Sequence, residues 1–66
     1  MANELRQTDA DRVRELLDQA GVSQRGAARH LRIDERTMRR YCSGEMDVPQ
    51  VVMMALGHLA ANPPAR

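Results

Sequence analysis

Ten of the 66 residues are basic, and all ten are arginine. Six of them, Arg25, Arg29, Arg32, Arg36, Arg39 and Arg40, fall between Gln24 and Ser43, where only Asp34 and Glu35 oppose them, a balance of +4. Met1 to Ser23 carries three arginines against five acids, and the segment after Ser43 has one against two. The net charge of +1 therefore conceals a basic centre between acidic flanks. A guanidinium is a planar fork that meets a phosphate, or the O6/N7 edge of guanine, with two parallel hydrogen bonds, which an ammonium cannot do. The chemistry offered is recognition of a polyanion. An enzyme is not expected: there is no glycine-rich phosphate loop, no acid and base set to share a pocket, and little mass to enclose one.

Those arginines need elements that fix where they point. The stretch SQRGAARHLRIDERTMRRYCSG predicts two short helices across a tight turn, the first from Gln24 to Leu31 and the second from Glu35 to Ser43. Ser23 and Asp34 are each placed to accept hydrogen bonds from the free N–H groups of a helix start. Gly44 suits the left-handed residue that ends a helix. At about 100° per residue, Ala27, Ala28 and Leu31 share one face of the first helix. Met38, Tyr41 and Cys42 share one face of the second, with Ile33 in the turn between them. The alanines allow two steeply crossing backbones to approach. Outward lie Arg25, Gly26 and Arg29, then Arg36, Arg40 and Ser43, flanked by Glu35 and Arg39. An apolar inside and an arginine-lined outside are what reading DNA with such a helix pair requires.

This stretch resembles the helix-turn-helix of the phage-repressor and Cro-like family. Gln24 opens the first helix, Ala28 stands at the close approach, Leu31 and Ile33 surround the turn, Met38 and Tyr41 hold the core positions, and Gly44 and Pro49 match the loop. Arg32 stands where the family usually has glycine, so either the turn is remodelled or a positive φ is tolerated at a cost of about 1 kcal/mol. A resemblance over more of the chain is to the small anti-CRISPR-associated (Aca) regulators. It rests on AGVSQRGAARHL, on Met38-Arg39 before Tyr41, and on Ala55-Leu56, Leu59-Ala60 and Pro63-Pro64. It implies a dimeric repressor of its own phage or mobile-element operon.

With the second helix in the major groove, Arg36 is the expected base reader, in the first turn and opposite Met38. One bidentate pair with guanine gives roughly 1–3 kcal/mol of discrimination. Glu35 either accepts from cytosine N4 or pairs with Arg39 four residues on. Arg39 and Arg40 reach bases or phosphates. The expected base contacts are thus Arg36, Glu35, Arg40 and Arg39. The expected phosphate contacts are Gln24, Arg25, Arg29 and Ser43, assisted by helix-start N–H groups; Ser43 alternatively serves only the helix end. Cys42 reads as a small buried hydrophobe. His30 and His58 have no partners at ligand spacing, so neither a metal nor a cofactor is expected.

Around this centre, Thr8 caps a first helix with Asp9 and Asp11 in its opening turn, and Gly21 ends it. Val13, Leu16, Leu17 and Ala20 form its buried stripe. Arg12 and Arg14 face solvent as partners of acids, Arg14 being spaced for Asp18. Met1 to Gln7 carry little pattern and are expected to fray. Pro49 suits the first turn of a last helix, with Asp47 or Val48 as its cap, running to about Ala61 before Asn62, Pro63 and Pro64. Val48, Val52, Ala55, Leu56 and Leu59 make its core stripe. Val51, Met53, Met54 and His58 lie beside or opposite it. Either the methionines fill core gaps, or Val51, Met54 and His58 form a dimer seam.

The expected fold is all-α, a single four-helix domain of the lambda-repressor type over 1–66, ordered about 8–62. A chain of this length buries only about 60% of its unfolded surface, and with a single tyrosine and no Phe or Trp its core is aliphatic. The lone Cys42 fits a reducing cytoplasm. No leader-like or membrane-spanning run is visible, and neither a membrane nor a small-molecule ligand is expected. The expected partner is double-stranded DNA bearing a palindromic operator, met by a homodimer with recognition helices about 34 Å apart. The competing class is an antitoxin or adaptor whose arginine face meets an acidic protein.

Overall fold

The computed structural model describes residues 8–64; the expectation for Met1 to Gln7 lies outside them. The chain forms α1 (Asp9–Ala20), α2 (Gln24–Leu31), α3 (Glu35–Ser43) and α4 (Gln50–Ala61), with no strand among the described residues. This is the all-α four-helix fold the sequence predicts.

Local side-chain chemistry sets most boundaries. At α1, Thr8 Oγ1 accepts from the Asp11 N–H at 3.1 Å while Asp11 Oδ2 accepts from the Thr8 N–H at 3.4 Å, a reciprocal capping box. Ser23 Oγ accepts from the Gly26 N–H at 3.0 Å to open α2, and Asp34 Oδ2 accepts from the Arg36 N–H at 3.1 Å to open α3. Three helices end the same way, on a left-handed residue: Gly21 (φ 70°), Arg32 (φ 58°) and Gly44 (φ 86°). In each, the following N–H reaches back to a carbonyl five residues earlier: Val22 to Leu17 at 3.2 Å, Ile33 to Ala28 at 2.8 Å, and Glu45 to Arg40 at 3.1 Å. Arg32 thus keeps the glycine geometry. The turn is not remodelled; the strain is tolerated.

α4 begins differently from expectation. Pro49 (ψ 146°) is the cap itself, ahead of the first turn, and neither Asp47 nor Val48 caps the helix. The Pro49 carbonyl accepts the first helical bonds, from Val52 at 3.0 Å and Met53 at 3.1 Å. Proline has no side-chain acceptor, so this start lacks the side-chain cap bond that the other three have. The far end is as expected, with the Asn62 N–H and Nδ2 both donating to the His58 carbonyl, at 2.9 and 3.1 Å.

The core gathers Val13, Leu16, Leu17 and Ala20 of α1, Ala27 and Ala28 of α2, Met38, Tyr41 and Cys42 of α3, and Leu56 of α4, all buried. α1 packs against α4 and α3, and α2 against α3. Met53 is half-buried against this cluster with Val48, Val52 and Leu59, so it belongs to the inner side of α4.

Candidate nucleic-acid interface

α3 presents its two faces to two different environments. Met38 is fully buried, and Tyr41 and Cys42 are buried beside it. Arg36, Arg39, Arg40 and Ser43 are exposed on the other side. Burial pushes the Cys42 thiol above its ordinary pKa, the charge of Arg14 opposing weakly. At neutral pH it is therefore an uncharged core atom.

A residue that sequence reasoning assigned elsewhere holds the end of this helix. Arg14 Nη1 donates to the Cys42 carbonyl and its Nη2 to Asp11 Oδ1, in place of the expected pairing with Asp18. The Cys42 carbonyl is one of the acceptors left over in a final helical turn. A guanidinium there fills that vacancy and suits the negative end of the dipole. Asp11, fixed by the capping box, holds Arg14 in turn. The contact spans 28 positions, and no local spacing rule points to it. Arg12 behaves as expected, pairing with Glu15 at 2.6 Å.

The exposed arginines divide by partner. Glu35 Oε1 lies 3.4 Å from Arg25 Nε, and its Oε2 3.6 Å from Arg39 Nη1. Of the two expectations for Glu35, the structure has the pairing with Arg39, and adds Arg25 to it. Arg40 Nε lies 3.8 Å from Glu45 Oε1. Arg29 and Arg36 make no side-chain ion pair among the described residues. Exposed pairs of this kind contribute about 0–1 kcal/mol each, so all are readily exchanged for another anion. Ser43 Oγ donates its only proton to the Arg40 carbonyl at 3.1 Å and accepts from the Glu45 N–H at 3.3 Å, which is work at the helix end.

Arg14, Gln24, Arg36, Arg39, Arg40 and Ser43 border one open hollow of about 520 Å³. Arg25, Arg29 and Glu35 border a neighbouring groove of about 280 Å³ over Ala28 and Ile33. The residues expected at DNA thus collect in two adjacent cationic depressions on α2 and α3. Val51, Met54 and His58 stand apart from them, exposed on α4. No group of three or more His, Cys, Asp or Glu suited to a metal occurs among the described residues. None of their helices is long and apolar enough to cross a membrane.

Two capped helices across a tight turn, the second seated on a buried apolar back with arginines in front, define a helix-turn-helix. A family model described as a helix-turn-helix domain matches residues 10–63, and the chain belongs to that family, as a DNA-binding domain of the regulator class. No curated protein and no solved structure matches it.

Proposed function

We propose that the protein is a sequence-specific repressor, acting as a homodimer on a palindromic operator, and that it regulates its own phage or mobile-element operon in the manner of the anti-CRISPR-associated regulators it resembles. The observation that carries the reading is Arg36. It stands in the first turn of α3, exposed and without an ion pair among the described residues, on a helix whose opposite side is buried. Arg36 reads a guanine edge, Arg39 and Arg40 extend the contact along the groove, and Gln24, Arg25 and Arg29 meet phosphates. Val51, Met54 and His58 supply the seam between subunits. They are spaced i, i+3 and i+7 on one side of α4, and Val51 and Met54 keep 71% and 66% of their surface exposed.

The test is selection from a pool of random duplexes, followed by titration of the enriched sequence at several salt concentrations. If roughly six arginines per dimer neutralise phosphates, log K falls against log salt with a slope of about −5. Arg36→Ala loses preference at one base position per half-site, about 10- to 100-fold. Arg29→Ala weakens every sequence alike and makes the slope shallower by about two units per dimer. Failure to enrich any sequence, or identical profiles for the two variants, rejects this assignment.

A further inference from the structure

α3 opens with an acid set among cations, and both oxygens of that acid are engaged. The Glu35 carboxylate spans the motif, one oxygen toward Arg25 of α2 and the other toward Arg39 of α3. It faces the smaller groove with Arg25 and Arg29, while Arg39 faces the larger hollow with Arg36 and Arg40. Glu35 therefore sits between the two cationic depressions, with 42% of its side-chain surface open. Its one other visible service to the fold is as the acid in the first turn of α3, at the positive end of the helix dipole. Asp34 already caps α3, and no buried side-chain polar atom among the described residues lacks a partner that Glu35 might supply. A carboxylate at this place repels phosphate and competes with it for the same guanidinium donors.

We propose that Glu35 is a specificity-determining residue that keeps Arg25 and Arg39 occupied, so that duplexes offering only phosphates are bound weakly. This rests on the DNA-binding reading above and concerns how the same surface discriminates. On a non-cognate duplex, the two arginines merely exchange one anion for another, and the displaced carboxylate faces the phosphates. On a cognate duplex, the base bonds of Arg36 fix the register, and the exchange is driven by contacts that non-cognate DNA cannot offer. Discrimination is a difference of affinities, and Glu35 acts by lowering the weaker one. Glu35→Gln keeps the shape of the side chain and releases both cations to any phosphate.

The experiment compares wild type, Glu35→Gln and Asp18→Asn on a random-sequence duplex and on the duplex enriched by wild type, each over a range of salt. Asp18→Asn removes the same unit of charge from an exposed site on α1, outside both depressions. Circular dichroism melting verifies that the variants fold. Expected is about 10-fold tighter binding of the random duplex by Glu35→Gln, with a salt slope steeper by about one to two units. Asp18→Asn moves affinity by about 2-fold or less at physiological salt, because its charge lies outside the depressions and is screened. The ratio of cognate to random affinity falls for Glu35→Gln alone. Equal effects from the two variants overturn the proposal, as does a Glu35→Gln protein that loses cognate affinity without gaining on the random duplex, the result expected if Glu35 reads a cytosine. Wild type that binds no duplex at any salt overturns the DNA-binding reading itself, and this proposal with it.

Discussion

α3 and α4 contrast sharply. Each has a buried methionine or leucine at its centre, Met38 in one and Leu56 in the other. Beyond that they share little. α3 shows solvent a row of arginines, whereas α4 shows it Val51 and Met54. α3 starts on a side-chain cap and ends on a glycine in the left-handed region; α4 starts on a proline with no side-chain bond. A helix with a charged front asks for a polyanion and is soluble without one. A helix apolar over most of its circumference gains from a second apolar surface. The proposed function assigns these two helices of one small domain to two different partners, α3 to nucleic acid and α4 to a second copy of the chain.

Two methionines sharpen the contrast most. Met38 is fully buried and Met54 keeps 66% of its surface exposed. Met38→Ala removes core atoms and leaves a cavity, at about 2–5 kcal/mol. That approaches the whole stability of a domain this size, on the order of 3–10 kcal/mol. Met54→Ala costs the isolated subunit less than about 0.5 kcal/mol. Urea unfolding at low protein concentration measures both. Comparable losses would mean that α4 already buries Met54 within the subunit, and the contrast between the helices would collapse.

The second break concerns association. Val51→Glu together with Met54→Glu places charges on the exposed side of α4, where a seam between subunits would have to desolvate them. Sedimentation equilibrium should show the variant as monomer at concentrations where wild type is dimer. Affinity for the palindromic duplex should fall by about 100-fold or more, because the second half-site no longer adds its effective concentration. Affinity for a single half-site should be unchanged. A variant that stays dimeric removes α4 as the seam and leaves its exposed valine and methionine unexplained.

How far the sequence disclosed all this follows from the range of each signal. Capping is a matter of neighbours, so Thr8, Ser23 and Asp34 marked three helix starts, and Gly21 and Gly44 two ends, directly from residue type. Amphipathic spacing located the backs of α1, α2 and α3 because their polar and apolar sides differ. In α4 they hardly differ, and periodicity had no means of telling Met53, which turns inward, from Met54, which does not. Pro49 is equally at home as a cap or in a first turn, and only the path of the chain decides. The arginines that line the hollow were legible as a composition, but their division into paired and unpaired was not. The bond from Arg14 to the Cys42 carbonyl joins two helices far apart in sequence, and a rule of i,i+4 spacing pointed instead to Asp18.

The smallest expected effect concerns Arg32, the residue that leads into the charged front of α3. Gly21 and Gly44 take left-handed φ at no steric cost, whereas Arg32 takes it with a Cβ, at about 1 kcal/mol. The turn holds because the Ile33 N–H reaches the Ala28 carbonyl at 2.8 Å and the Ile33 side chain packs against the core. Arg32→Gly relieves the strain but also frees the unfolded chain, which takes back part of the gain. The net expected is about 0.5 kcal/mol of added stability, or roughly 2–4 °C in melting temperature for a domain of this size. Arg32→Ala removes the same charge and keeps the Cβ, so it should show none of that gain. If glycine stabilises no more than alanine, backbone strain is not stored at this turn, and the bond from Ile33 to Ala28 cannot be credited with holding a reluctant residue in place. If glycine alone stabilises and DNA affinity drops with it, Arg32 is retained for its charge beside the phosphates, at the expense of the fold.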